Sequence, residues 1–144
     1  MKKTILSALL VLVMSLTACA NEKVISFSEM PQQAQQLIEQ HFSKADVSLV
    51  MQERDGLSLE YEVRFNDGTK VEFDTQGEWK RVGRKKTGVP VKLIPPAITQ
   101  YVKANYPDDV VSKLSRKPYG YKIELSSDKD LRFNPQGQFI EVID

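Results

Sequence analysis

The sequence is poorest in the residue types that carry chemistry. Its 144 residues include one cysteine, one histidine and one tryptophan. A single cysteine excludes an intramolecular disulfide, so the fold must stand on its packed core even in an oxidising compartment. The lone histidine, His41, has no second imidazole with which to share a metal, and no cysteine is left over to act with it as a base–nucleophile pair. It falls near the end of an expected helix, where an imidazole suits the helix dipole. The serines lie outside any Gly-x-Ser-x-Gly elbow, and no glycine-rich phosphate loop occurs. An apolar run of the roughly 20 residues that a membrane-spanning helix needs is also missing. These absences give little reason to expect an enzyme, and no catalytic residue, metal ligand or cofactor is assigned.

What is present begins at the N-terminus. Lys2 and Lys3 precede a short apolar stretch, Ile5 to Met14, which reads as a secretory signal. Leu16-Thr17-Ala18-Cys19 follows and resembles the bacterial lipobox. That resemblance implies a diacylglyceryl group on the Cys19 thiol, cleavage between Ala18 and Cys19, and acylation of the new amino group. Several acyl chains, at about 0.8 kcal/mol per buried methylene, would hold the chain firmly at a membrane. Ala20 stands where an aspartate signals inner-membrane retention in some bacteria, which favours the outer membrane. Losing Lys2 and Lys3 from 20 basic residues leaves 18 against 19 acidic ones, a net charge of −1. That is not the balance of a nucleic-acid binder.

The remainder shows self-similarity. Met30-Pro31, Ala34, Leu37, Ile38 and Phe42 return 64 residues later as Ile94-Pro95, Ile98, Tyr101, Val102 and Tyr106. Tyr61, Val63, Phe65, Val71, Phe73, Gly77, Trp79 and Val82 return 60 residues later as Tyr121, Ile123, Leu125, Leu131, Phe133, Gly137, Phe139 and Val142. The first block has the three-to-four spacing of one helix face, and proline suits a first helical turn. The second alternates apolar and polar residues with the period of a half-buried strand, starting at Leu57 and Leu59. Asp67-Gly68 and Gln76-Gly77 mark turns, and Val47 to Glu53 is a weaker preceding strand. A continuous apolar face calls for Phe65 opposite Val71 and Val63 opposite Phe73. This register puts Arg64 opposite Glu72, Glu124 opposite Arg132, and Glu62 opposite Asp74. The first two pairs are opposite in sign, as cross-strand complementarity requires.

The expected architecture is α+β. Two tandem helix-plus-four-strand repeats form an open antiparallel sheet of about eight strands, with two helices on one face. The expected boundaries are a signal peptide at 1–18, a lipidated tether at 19–23, a first repeat at 24–84 and a second at 88–144. Together the proline-led helix, Tyr-x-Val/Ile-x-Phe/Leu, Val/Leu-x-Phe and Gln-Gly-x-Trp/Phe resemble the PepSY-like repeats of the beta-lactamase-inhibitor-like group. The resemblance spans about residues 24–144. It implies one long curved sheet with helices on one side, an envelope location and a protein-binding sheet face. No inhibitory contact residue can be carried over by motif.

The polar positions of the strands supply the candidate binding face: Glu60, Glu62, Arg64, Glu72 and Asp74 in the first half, Lys122, Glu124 and Arg132 in the second. Charge is divided along the chain. Residues 24–83 hold 6 basic and 11 acidic side chains, net −5, whereas 84–144 hold 11 and 7, net +4. Such a division can steer a charged partner. Arg84, Lys85 and Lys86 at the junction could touch anionic lipid. Trp79 is expected in the core, or on the surface as a binding anchor if a bulge turns it outward. The leading expectation is a lipid-tethered envelope module that binds a protein or peptide and no nucleic acid. The alternative is a sensor in which the carboxylates hold a hard cation such as calcium.

Overall fold

The computed structural model describes residues 21–143, so Cys19 and the signal peptide lie outside the described residues. Strand β1 (Glu22–Val24) leads into helix α1 (Gln32–His41) and four strands, β2 (Val47–Asp55), β3 (Ser58–Phe65), β4 (Lys70–Phe73) and β5 (Trp79–Gly83). Helix α2 (Pro96–Asn105) follows, then β6 (Val111–Lys117), β7 (Gly120–Leu125), β8 (Asp130–Phe133) and β9 (Phe139–Ile143).

Both helices begin immediately after proline, and α2 carries Pro96 in its first turn, where a missing N–H goes unmissed. Each buries one stripe, Ala34 and Ile38 in α1 and Ile98 and Val102 in α2. The α2 ladder closes with the Tyr106 N–H donating to the Val102 carbonyl at 2.7 Å, and Pro107 prevents its continuation.

The strands form a single antiparallel sheet in the order β1 to β9, each bonded to its sequence neighbours. This corrects the expectation of two helix-plus-four-strand repeats with about eight strands. The sheet has nine strands, and β5 pairs with β6 through Arg81–Ser115, Val82–Leu114 and Gly83–Lys113. It therefore runs without a break between the halves, and the buried side chains of both halves form one apolar cluster. The ninth strand, β1, falls partly in the segment expected to be a tether. Its three residues are all exposed, so they carry no alternation by which a sequence could betray a strand. Backbone pairing holds them: Glu22, Lys23 and Val24 face Glu53, Gln52 and Met51.

A row of directly opposed apolar residues crosses the sheet on the helix side: Val50, Val63, Val71, Val82, Leu114, Ile123, Leu131 and Val142. The first seven are no more than 4% exposed. Burying each such side chain is worth about 1.5–3 kcal/mol, so this row, with Phe73 and Phe133 beside it, is the core.

The register differs from the expected one by two residues on the second strand of each hairpin. Val63 faces Val71 and Tyr61 faces Phe73, which sets Glu62 against Glu72 and Arg64 against Lys70. In the second half Lys122 faces Arg132 and Glu124 faces Asp130. Turn geometry decides this rather than charge. The Phe65 N–H donates to the Thr69 carbonyl at 2.9 Å and the Gly68 N–H to the Phe65 carbonyl at 3.0 Å, which closes a three-residue loop. The same pair of bonds recurs at Asp74–Glu78, Leu125–Lys129 and Asn134–Gln138. A type I turn followed by a left-handed residue fixes such a hairpin, and shifting it would break two backbone bonds for a surface charge pair worth under about 1 kcal/mol. Leu57, expected as a strand residue, is instead at the tip of the β2–β3 turn and 99% exposed.

Candidate functional site: the uncovered sheet face

The side of the sheet turned away from the apolar row is polar, and charge is sorted across it. On the β1–β4 half, Glu22, Glu53 and Glu60 stand directly opposite one another on three successive strands. With Glu62, Glu72, Met51 and Arg64 they line a shallow recess of about 140 Å³. Ion pairs close part of it: Glu62 with Arg64, Glu60 with Lys80, and Glu72 with Arg81 at 3.0 Å. Glu22 and Glu53 have no such partner among the described residues.

Across β5 to β7 a second recess of about 160 Å³ is lined by Arg81, Lys113, Lys117 and Lys122, with Ser115 and Glu124 between them. Here Lys113 meets Glu124 at 2.6 Å and Lys122 meets Asp130 at 2.6 Å. Arg81 stands at the boundary, belonging to the basic recess while bonding Glu72 of the acidic one. One open face thus carries an acidic recess and a basic recess side by side.

The structure brings Glu60, Glu62, Arg64 and Glu72 together in the first recess, and Lys122 and Glu124 in the second. It separates the other three candidates from them. The Asp74 Oδ1 accepts the Gln76 and Glu78 N–H groups, each at 2.9 Å, so this carboxylate organises the β4–β5 turn. Arg132 pairs with Glu141 at 2.7 Å and lies over the Tyr119 ring. Trp79 is 7% exposed, packed into the core with the Arg116 guanidinium 4.0 Å from its ring centre. Residues that sequence reasoning missed are Glu22 and Glu53 on the acidic side, and Arg81, Lys113 and Lys117 on the basic side. The polar alternation of β2 and β6 was the available signal for Glu53, Lys113 and Lys117. Nothing in a three-residue exposed strand marks Glu22.

Two carboxylates near strand ends have lowered pKa values. The Thr69 side chain and N–H hold Asp67 below the ordinary aspartate value, and Arg84, 3.7 Å away, adds to this. Asp109 is held down chiefly by the Ser126 hydroxyl, which donates to it at 2.9 Å. Asp67 ties its own turn together and to Arg84 beyond β5, and Asp109 ties the α2–β6 loop to the β7–β8 turn. Among the described residues, no three His, Cys, Asp or Glu side chains converge as metal ligands would, and no helix is long and apolar enough to cross a membrane.

A long open antiparallel sheet, two helices on one face and a sorted polar face on the other define a class of small sheet-presenting modules. The chain belongs to the PepSY-like family described as beta-lactamase-inhibitor-like, whose model matches residues 59–141. A solved protein of Bacteroides thetaiotaomicron, provisionally described as calcium-regulated and periplasmic, is 45% identical and superposes with a TM-score of 0.81, covering 85% of this chain and 97% of its own. Two proteins of Bacteroides vulgatus, provisionally described as periplasmic, are 35% and 32% identical. Their TM-scores are 0.81 and 0.80, over 88% and 85% of this chain and 99% of each of theirs. No functionally curated protein matches the sequence significantly.

Proposed function

We propose that the protein is a periplasm-facing, non-enzymatic binding module, tethered through a lipid on Cys19, whose uncovered sheet face meets a protein or peptide. The observation that carries this reading is the pairing of an acidic and a basic recess on one open face. Such a face is complementary to a partner with the reverse polarity, and complementary potentials raise encounter rates and fix orientation more than they add affinity. The family's inhibitor-like description and the periplasmic relatives support a protein-binding role in the envelope. The lipobox-like Leu16-Thr17-Ala18-Cys19 supports the tether, and Ala20 after the cysteine favours the outer membrane as its site.

A photo-crosslinking amino acid placed at Glu53 or Lys117, inside the recesses, is expected to capture an envelope protein. The same probe at Gln36 or Lys103, on the exposed helix surfaces, is expected to capture none. Adducts from the helix positions alone would place the binding surface elsewhere.

A second reading is favoured by one specific observation, the relative described as calcium-regulated together with the five glutamates of the acidic recess. In this reading calcium draws together glutamates that do not otherwise converge as metal ligands do, and neutralises the face. Millimolar calcium should then raise the melting temperature of the wild type and not of Glu60→Gln/Glu62→Gln. No shift in the wild type removes it.

A further inference from the structure

The chain enters the fold beside the most exposed large apolar side chain among the described residues. The Arg54 N–H donates to the Asn21 carbonyl at 2.9 Å, so the backbone leading into β1 runs alongside the end of β2. Cys19 precedes Asn21 by two residues, a span of at most about 7 Å even when fully extended. Three residues beyond Arg54, Leu57 crowns the β2–β3 hairpin and is 99% exposed. Nothing in the turn calls for leucine. Gly56 has φ +61° and Leu57 has no positive φ, the type II′ pattern, which asks for glycine at the first loop position and leaves the second open.

This hairpin also reaches farther than its counterpart in the second half. Glu53 faces Glu60 as Lys117 faces Gly120, and in the second half the Pro118–Tyr119 loop follows at once. In the first half the pairs Arg54–Leu59 and Asp55–Ser58 come before the loop. Leu57 therefore stands two residue pairs, about 7 Å, further out. The extension is braced on both sides. Asn21 holds the Arg54 N–H, and the Thr75 hydroxyl accepts from the Leu59 N–H at 3.0 Å and donates to the Leu59 carbonyl at 2.8 Å. Tyr119, at the corresponding tip, is instead covered by the Arg132 guanidinium, 4.5 Å from its ring centre.

We propose that the β2–β3 tip is a membrane contact, at which Leu57 enters the same bilayer that holds the acyl chains on Cys19. The inference rests on the lipid at Cys19 and adds how the domain stands upon it. Acyl chains hold the Cys19 backbone at headgroup level, and the short connection brings the tip to that depth, where an apolar side chain is drawn toward the acyl boundary. Around the tip Lys23 and Arg54 are opposed by Glu22, Glu53 and Asp55. The surface there has no net positive charge, so the contact is apolar rather than electrostatic. The strands stand away from the bilayer, with both recesses open to the side. Arg84, Lys85 and Lys86 follow β5 at the opposite end of the strands. The 8 residues of β3 put roughly 26 Å between the two ends, which keeps those cations off the lipid.

The test uses the chain expressed with its own signal, in phosphatidylcholine vesicles, after mass spectrometry has established the lipid on Cys19. Amide hydrogen exchange at Gly56 and Leu57 is expected to slow relative to Cys19→Ser protein in solution, and exchange at Asn66, at the far end of β3, to stay the same. Leu57→Ser should lose the protection and keep the wild-type melting temperature, because the native side chain is almost wholly exposed. A nitrobenzoxadiazole probe on Leu57→Cys should be quenched by nitroxide-bearing lipid, and on Asn66→Cys it should not. A lipidated protein that exchanges equally at residues 56 and 57 on vesicles and in solution would overturn the tip contact and leave the tether standing. An unlipidated Cys19 would overturn both. Protection that appears only with added anionic lipid would assign the contact to Lys23 and Arg54, and protection that survives Leu57→Ser would assign it to the tether; either result overturns the proposal.

Discussion

Glu62 on β3 stands directly opposite Glu72 on β4, like charge against like, and the arrangement is tolerated because Arg81 on β5 reaches Glu72 at 3.0 Å. The compensation comes from two strands: Arg64, on β3 itself, pairs with Glu62, and Arg81, on the neighbouring strand, pairs with Glu72. Arg81→Met is expected to lower stability by under about 1 kcal/mol at low salt, since the Arg81 side chain is 44% exposed and its charge screened. Adding Glu72→Gln in the same chain should recover part of the loss, and high salt should shrink it. Urea denaturation at two salt concentrations checks both statements.

The hairpin turns set the register, so their left-handed residue should matter more than the charges beside them. Gly68 has φ +85°, and a Cβ there would meet nothing within 4 Å, so substitution costs conformation alone. Asp128 takes the corresponding place in the β7–β8 turn with φ +65°. Gly68→Ala is expected to cost about 1–2 kcal/mol. Gly68→Asp should cost less, because a short polar side chain can bond locally in that conformation. Equal losses in the two variants would contradict this.

Gly120 is constrained by space as well as by φ. At φ +132° its Cβ would lie 2.4 Å from the Phe133 carbonyl oxygen and 2.4 Å from the Asn134 carbonyl carbon, both backbone atoms that cannot swing aside. Gly120→Ala should therefore lower stability by at least roughly 2 kcal/mol, combining overpacking with backbone strain. A melting temperature within error of wild type would show that β7 and β8 can separate there without cost.

Asp67 gives the fold a pH dependence of known sign. Its folded-state pKa is lowered, so its contribution is fully present above the ordinary value of 3.8 and is lost as pH falls through the folded value. The stability advantage of the wild type over Asp67→Asn should hold at neutral pH and shrink progressively below 3.8. A difference that stays constant into acid would mean that the charge on Asp67 is immaterial.

The helices and the strand alternation were legible because each rests on a local period. Ala34 and Ile38, and Ile98 and Val102, are apolar at helical spacing and are the buried residues of α1 and α2. The register was not legible. Complementary charges at Arg64 and Glu72 suggested one pairing, but three-residue loops imposed another, and backbone bonds outweigh exposed ion pairs. β1 escaped notice because its residues are all exposed. The recesses were half legible: Glu60, Glu62 and Glu72 share one hairpin, but Glu53 joins them from β2, Glu22 from β1 and Lys113 from β6. Sequence pattern showed that these residues were polar, and only sheet order showed which charges they would meet.

The central claim is that the sorting of charge on the uncovered face selects the partner. Its most direct test exchanges the two recesses in the full chain by Glu60→Lys/Glu62→Lys/Lys113→Glu/Lys122→Glu, which leaves net charge unchanged, with urea denaturation confirming that the variant is folded. Crosslinking from Glu53 and Lys117 is then repeated in the envelope. The expected result is loss of the adduct seen with the wild type. An undiminished adduct from the folded, polarity-exchanged protein would contradict the account.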